Sequence, residues 1–167
     1  MSLSWVVVVL VGVLAALALG PTPIRAWLTH HRARVLVIAE FEPHLDLLVA
    51  TLRRAGYRPR GCHPRGAIDL LRRGAYPIVV SGLMMPYLSG SELLAATRAL
   101  SPCPQVVLLT GDPAGDAAGE AIRRGACAVV DKRSMGDLRR AAHGAFARAF
   151  GARRASRAPV PVPVRVR

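Results

Sequence analysis

Short apolar runs alternate with longer amphipathic stretches through the middle of the chain. A weak run, Tyr57–Cys62, contains Pro59, which lacks a backbone donor and therefore predicts a strand at a sheet edge. Four β-branched runs predict fully buried strands: Val35–Ala39, Ile78–Ser81, Val106–Thr110 and Ala128–Asp131.

Between these runs the apolar residues recur at helical spacing. Leu45, Leu48 and Leu52 form the first such series, and Gly56 ends it. The other helical stretches are Ala67–Arg73, Ser91–Leu100, Ala114–Arg124 and Gly136–Ala149. Strands separated by helices require parallel pairing with right-handed crossovers. We therefore predict an α/β domain over residues 34–150, a five-stranded, doubly wound parallel sheet covered on both faces.

An uncharged apolar stretch, Leu3–Leu19, precedes this domain. Its length is at the short end of the ~17–25 residues that a membrane-spanning helix needs. Arg25, Arg32 and Arg34 follow it, and the positive-inside rule then places the rest of the chain in the cytoplasm. We predict an N-terminal hydrophobic helix, residues 1–20, that anchors the chain in the inner (cytoplasmic) membrane.

Two alternatives to this anchor stay open. Residues 1–20 could be a cleaved signal, although no basic side chain precedes the apolar stretch. They could also follow from a start site assigned too far upstream, in which case the protein is cytoplasmic. Residues 21–33 are predicted to be a basic linker.

Composition adds a strong positive charge. There are 23 Lys and Arg against 10 Asp and Glu, a formal net charge of +13, and Lys132 is the one lysine. Such a charge favours anionic partners. Residues 151–167, rich in Arg, Pro and Val, predict a disordered basic tail. They are too few for a winged-helix or helix-turn-helix element that reads bases, so nucleic acid is not the expected partner. The three widely spaced cysteines exclude a disulfide framework and a CxxC zinc pattern.

Ligands of parallel α/β sheets bind where the strands end. At these positions the chain carries three motifs: Leu83–Gly90 (LMMPYLSG), Leu108–Gly111 (LLTG) and Asp131-Lys132. Together, over about Arg34–Phe150, they resemble the receiver domain of two-component response regulators. The resemblance implies a flavodoxin-like fold with strand order 2-1-3-4-5. It also implies phosphoryl transfer from a histidine kinase to an Asp that ends the third strand, with Mg²⁺ held by two acidic residues after the first strand.

When the family pattern is carried over to this sequence, most of the acidic residues that perform its chemistry are missing. The phospho-acceptor position is Gly82, the first acidic position is Ala39, and Glu40 alone matches a metal ligand. Thr110 and Lys132 match the two residues that contact the phosphoryl group. The resemblance therefore implies a pseudo-receiver with no catalytic residue and no cofactor, in which Mg²⁺ binding is lost or weak and Glu40 is at most its one ligand.

Other polar residues lie near the strand ends and are candidate substitutes for the missing acceptor. Successive strand side chains alternate in direction, so the Ser81 hydroxyl should face away from the pocket. Glu42, Asp112 and Asp131 are better explained as solvated acids. Lys132 is expected to form an ion pair with Glu40 across the pocket.

We therefore expect a single-domain, response-regulator-like protein in two-component (phosphorelay) signal transduction. It would act as a membrane-anchored, phosphorylation-independent interaction module and not as an enzyme. Its partners would be a histidine kinase or another receiver, contacted through the surface from the fourth to the fifth helix. Two alternatives are a receiver phosphorylated at a non-standard residue and a nucleic-acid-binding regulator using the basic tail. The exposed basic candidates on the partner surface are Arg123, Arg124, Arg139 and Arg140.

Overall fold

The computed structural model describes residues 33–155, with side chains described as far as Phe150. The predicted anchor, the linker up to residue 32 and the end of the predicted tail lie outside the described residues. Strands and helices alternate in the described part. The elements are β1 (Arg34–Ile38), α1 (Glu42–Arg54), β2 (Arg58–Cys62), α2 (Pro64–Arg73), β3 (Ile78–Gly82), α3 (Gly90–Arg98), β4 (Gln105–Thr110), α4 (Asp116–Arg123), β5 (Ala128–Asp131) and α5 (Met135–Ala155).

The five strands form one parallel sheet in the order β2-β1-β3-β4-β5. This confirms the predicted doubly wound α/β fold and the strand order that the resemblance implies. Pro59 lies on β2, the predicted edge strand. Within the described residues no helix is both long enough and apolar enough to span a bilayer.

Alternation along the strands divides the core between two faces of the sheet. Val35 and Val37 of β1 face a cluster that includes Leu48 and Leu52 of α1 and Leu138 of α5. Leu36 and Ile38 of β1 face the opposite cluster, where side chains of α2, α3 and α4 pack. All four β1 side chains are inaccessible to solvent, as expected for a central parallel strand.

Helix boundaries differ from the predicted ones where capping decides them. α2 begins at Pro64 because the His63 side chain accepts a hydrogen bond from the Arg65 amide (3.3 Å) and Pro is favourable in the first turn. α3 begins at Gly90 because Ser89 and Glu92 form a capping box. α5 continues to Ala155, past the predicted domain boundary at 150.

Candidate functional site

The candidate site lies at the carboxyl-terminal edge of the sheet, where Ala39, Gly82, Thr110 and Lys132 end or follow neighbouring strands. The register fixes their proximity: Ile38 pairs with Ser81, Gly82 with Leu109, and Thr110 with Asp131. The structure thus brings the sequence-predicted pocket residues to one edge, as expected for parallel strands at a switch point in strand order.

The Met85 side chain occupies the space next to Gly82. A Cβ atom built on Gly82 would lie 2.7 Å from Met85 Cγ and 3.0 Å from Met85 Sδ. These distances are shorter than van der Waals contact, so any side chain at position 82 requires Met85 to move. Sequence analysis assigned Met85 no place in the pocket.

Ser81, the residue before Gly82, is fully buried. Its hydroxyl donates to the Gly82 carbonyl oxygen (3.2 Å) and lies 3.9 Å from Met85 Sδ. The neighbouring strand residues place Ser81 on the face of α2, α3 and α4, opposite to Gly82, because Val79 and Val80 belong to different core clusters. The hydroxyl therefore has an internal acceptor and a thioether neighbour.

The β1 end of the site is mostly apolar. Ala39 is buried, and its amide donates to the Cys62 carbonyl (3.3 Å) at the β2 end. Glu40 is exposed. The expected Glu40–Lys132 ion pair does not form: neither residue belongs to any of the ion pairs found within 4.0 Å in the described part of the chain. The prediction was wrong: both residues are exposed, and the Lys132 side chain lies over Gly111 instead of reaching Glu40.

At the ends of β4 and β5, polar groups form hydrogen bonds within the fold. Thr110 Oγ1 accepts a hydrogen bond from the Asp112 amide (3.2 Å), and the Thr110 carbonyl accepts one from the Lys132 amide (2.8 Å). The Lys132 side chain extends over Gly111, because a Cβ atom built there would lie 3.6 Å from Lys132 Cε and 3.9 Å from Nζ. Thr110 and Lys132 are therefore held beside each other at the pocket mouth.

Asp131 and Arg133 form an ion pair that sequence analysis missed. Arg133 donates to Asp131 from its backbone amide (2.8 Å), from Nε (3.1 Å) and from a terminal guanidinium nitrogen (2.8 Å). The Arg133 side-chain bonds, followed by its amide bond, lower the pKa of Asp131 to about 2. Asp131 is thus committed to Arg133 and is a poor substitute acceptor. The available signal was an arginine two residues after an aspartate at a strand end.

His44, in the first turn of α1, is a second group that sequence analysis missed. Burial is the main cause that lowers its pKa below 6.5, and the positive charge of Lys132 lowers it further. Because His44 follows β1 and Lys132 follows β5, this interaction links the two sides of the pocket. The groups that interact electrostatically across this pocket are therefore the His44 imidazole and the Lys132 ammonium, and not two carboxylates.

The remaining acidic residues do not supply a metal site. The Asp112 carboxylate approaches Gly115 at the start of α4, and Glu42 is exposed as the first residue of α1. The described residues bring no three His, Cys, Asp or Glu side chains together in a way that would hold a metal ion. Mg²⁺ requires several oxygen ligands, usually including carboxylates. A site with a methyl at Ala39, a thioether beside Gly82 and one exposed carboxylate at Glu40 does not fit Mg²⁺.

The β3–α3 loop covers the side of the pocket away from β5. Tyr87 has a positive φ of 68°, which is uncommon outside glycine, and its ring stacks under the Arg65 guanidinium at 3.9 Å. The capping box then starts α3: the Ser89 amide donates to Glu92 (2.7 Å), and the Glu92 amide donates to Ser89 Oγ (3.2 Å). The Ser89 amide and then the Ser89 hydroxyl (2.8 Å), both donating to the Glu92 carboxylate, lower the pKa of Glu92. The capping box also fixes where the loop ends.

The four arginines predicted to mark a partner surface are all exposed, but they do not form one patch. Arg123 and Arg124 lie at the end of α4 and both bind Glu120. Arg139 and Arg140 lie near the start of α5, and Arg140 pairs with Asp137. Both helices run antiparallel to the strands, so the two pairs lie toward opposite edges of the sheet.

Comparison with known proteins shows sequence similarity to response regulators. No protein-family model matches the chain. The response regulator protein FleR of Pseudomonas aeruginosa is 33% identical over 101 residues, which cover 60% of this chain and 21% of that protein. The transcriptional regulatory protein ZraR of Escherichia coli is 28% identical over 100 residues, which cover 59% and 23%. The chain thus spans roughly a fifth of the length of these curated relatives.

Solved structures show the same relationship over the whole described domain. A response regulator receiver domain protein from Clostridium thermocellum has a TM-score of 0.66 and 25% sequence identity, with 72% of this chain and 98% of that chain covered. The sequence relatives and the solved structures together support a response regulator receiver domain.

Proposed function

We propose that this chain is a receiver-like interaction module of two-component signalling that works without phosphorylation at the acceptor position. The observation that carries the proposal is the packing at the end of β3. The residue there is Gly82, which has no nucleophile, and Met85 fills the adjacent space where an acceptor side chain would lie.

The residues around Gly82 further support the proposal. Phosphoryl transfer depends on a nucleophile, on correct positioning and on cations that stabilise the transferring charge. Ser81 and Asp131 have internal partners, and the donor set does not fit Mg²⁺. Thr110 and Lys132 remain where a phosphoryl group would be contacted, but Thr110 also caps the following turn. We therefore propose that the module is not an enzyme and needs no cofactor.

A module of this kind would act by contact with a histidine kinase or another receiver. We propose the surface of α4, β5 and α5 as the contact face. Arg139 is an exposed arginine of this face that forms no ion pair within the described residues. The apolar stretch Leu3–Leu19 supports the further proposal that the module is anchored at the inner membrane with its domain in the cytoplasm.

Intact-protein mass spectrometry of the full chain after incubation with acetyl phosphate and Mg²⁺ tests the proposal. We expect no phosphoryl group on the wild-type chain. The matched variant Ala39→Asp/Gly82→Asp/Met85→Ala supplies both missing carboxylates and removes the side chain beside position 82, so it should gain one phosphoryl group. The single variant Gly82→Asp should gain less because Met85 obstructs the new carboxylate.

Phosphorylation of the wild-type chain would overturn the proposal. Peptide mapping would then identify the non-standard acceptor. Circular dichroism of each variant verifies that a negative result reflects chemistry and not loss of the fold.

A further inference from the structure

Six exposed arginines lie together at the amino-terminal edge of the sheet, on the side of β1 and β2. The helices run antiparallel to the strands, so helix ends and strand beginnings meet at this edge. We call these residues the basic edge. They are Arg53 and Arg54 at the end of α1, Arg72 and Arg73 at the end of α2, and Arg34 and Arg58 at the starts of β1 and β2.

No acidic group of the described residues forms an ion pair with any arginine of the basic edge. Asp69 precedes Arg72 and Arg73 by one helical turn and still does not pair with them. Arg34 and Arg58 are register partners on adjacent strands, an arrangement of like charges that destabilises a sheet. The basic edge therefore contains positive charge that the described fold leaves uncompensated.

Arginines on the β4–β5 side of the same edge differ, because they have internal partners. Arg98 donates to the Arg124 carbonyl, and Arg148 donates to the Cys127 carbonyl at 2.9 Å. Arg123 and Arg124 bind Glu120. Cations at helix ends stabilise the helix dipole, which accounts for some basic residues here. It does not account for Arg34 and Arg58, which begin strands.

A groove of about 440 Å³ opens at the basic edge. Its apolar surface includes Leu71, Leu100 and Phe150, and its basic rim is formed by Arg34, Arg72 and Arg73. The Arg34 guanidinium stacks on the Tyr76 ring at 4.5 Å, so its apolar stem and charged head are both presented at the groove. None of the residues that line the groove is acidic. An apolar floor with a cationic rim matches the chemistry of an anionic phospholipid.

The sequence before the domain favours a membrane over nucleic acid as the anionic surface. The described chain starts at Ala33, which lies at the basic edge and lines the groove. The uncharged apolar stretch Leu3–Leu19 ends 14 positions earlier, with the 13 residues 20–32 between. Such a spacer reaches at most ~45 Å when fully extended. If Leu3–Leu19 lies in a bilayer, the basic edge is the edge held closest to it.

From these observations we infer that the basic edge docks on anionic phospholipid headgroups, with Arg34, Arg72 and Arg73 contacting phosphate around the groove. This site is at the edge of the sheet opposite to the candidate pocket; its choice of a membrane as the partner rests on the proposed membrane anchor, and not on the proposed loss of phosphorylation. Docking would orient the domain with its carboxyl-terminal edge away from the membrane.

The test uses the full chain in vesicles of phosphatidylcholine alone or of equimolar phosphatidylcholine and phosphatidylglycerol. Cys103 carries a polarity-sensitive maleimide dye. It is the exposed cysteine of the three, and it lies between Pro102 and Pro104, which line the groove. Burial raises the pKa of Cys62 to about 11 and also raises that of Cys127, so Cys103 reacts selectively at neutral pH.

We expect a blue shift of the dye that requires phosphatidylglycerol. Arg72→Gln/Arg73→Gln should weaken the response roughly tenfold or more in phosphatidylglycerol titrations. The control Arg139→Gln/Arg140→Gln removes the same charge from the other edge and should leave the shift unchanged. Circular dichroism confirms that both variants fold.

Three results would overturn the inference. The wild-type shift could be independent of phosphatidylglycerol. Both double variants could lose it equally, which would indicate bulk charge and not the basic edge. Duplex DNA could produce the shift through Arg72 and Arg73 where phosphatidylglycerol vesicles do not, which would assign the edge to nucleic acid.

Discussion

The two halves of the candidate pocket differ in what their polar residues do for the fold. At the ends of β4 and β5, Thr110 accepts a hydrogen bond from the next turn and Lys132 bonds to β4 through its amide. At the ends of β1 and β3, Ala39 and Gly82 contribute only backbone, and Met85 packs into the space beside Gly82. The Thr110 side chain therefore takes part in a hydrogen bond of the fold in one half, while the other half is held by backbone hydrogen bonds and apolar packing.

The largest expected effect is on the free energy of unfolding. It is measured by replacing each of two glycines in the β3–α3 segment with alanine and comparing the two variants. A Cβ at Gly90 would lie 3.1 Å from the Leu83 carbonyl oxygen and 3.2 Å from Leu108 Cδ1, and the backbone cannot withdraw. We expect Gly90→Ala to lower the free energy of unfolding by about 1–3 kcal/mol. Gly82→Ala meets only the flexible, half-buried Met85 side chain and should change it by less than about 1 kcal/mol.

Urea denaturation of the two variants measures both values. Equal destabilisation would show that the space beside Gly82 is as rigid as the space at Gly90. The acceptor half of the pocket would then be a packed core and not a site filled by one mobile side chain.

Much of this arrangement could be predicted from the sequence. β-branched runs and helical spacing gave the alternation of elements, and the LMMPYLSG and LLTG motifs placed Gly82 and Thr110 at strand ends. The Met85 packing and the missing Glu40–Lys132 pair could not be predicted, because they depend on side-chain rotamers. The basic edge could not be predicted either, since its six arginines come from four separate elements that only the topology brings together.

An intermediate effect is expected at the ion pair of the β5 half. Arg133→Gln removes the guanidinium that is the main cause of the low Asp131 pKa, so this pKa should rise from about 2 toward 3.8. A carboxylate with a lowered pKa stabilises the fold above its ordinary pKa, and this stabilisation is lost as the pH falls toward the folded value. The free energy of unfolding should therefore fall less between about pH 4 and pH 2 in Arg133→Gln than in the wild-type chain.

Carbon-detected NMR titration of the Asp131 carboxyl measures the shift. Arg139→Gln is the control, because Arg139 is also exposed and forms no ion pair within the described residues. An unchanged Asp131 pKa in Arg133→Gln would show that Lys132 or the backbone amide of residue 133, and not the Arg133 guanidinium, sets it.

The smallest expected effect concerns the interaction between the two halves. Lys132→Gln removes a positive charge that lowers the His44 pKa, so that pKa should rise but stay below 6.5 because burial is the larger cause. A lowered histidine pKa destabilises the fold as the pH falls below 6.5, and the variant should reduce this destabilisation.

NMR titration of the His44 ring, with Arg139→Gln as the charge-matched control, measures the effect. A His44 pKa that does not respond to Lys132→Gln would mean that the two halves of the pocket are electrostatically independent.

The strand order also has a consequence for synthesis on the ribosome. β1 is central, and both of its neighbours, β2 and β3, are complete once residue 82 has been made. The segment 34–82 therefore contains a contiguous three-stranded half-sheet, while β4 and β5 add to one side only. Because domains begin to fold as they emerge, this half-sheet should be the first unit to exclude water, before β4 and β5 have left the ribosome.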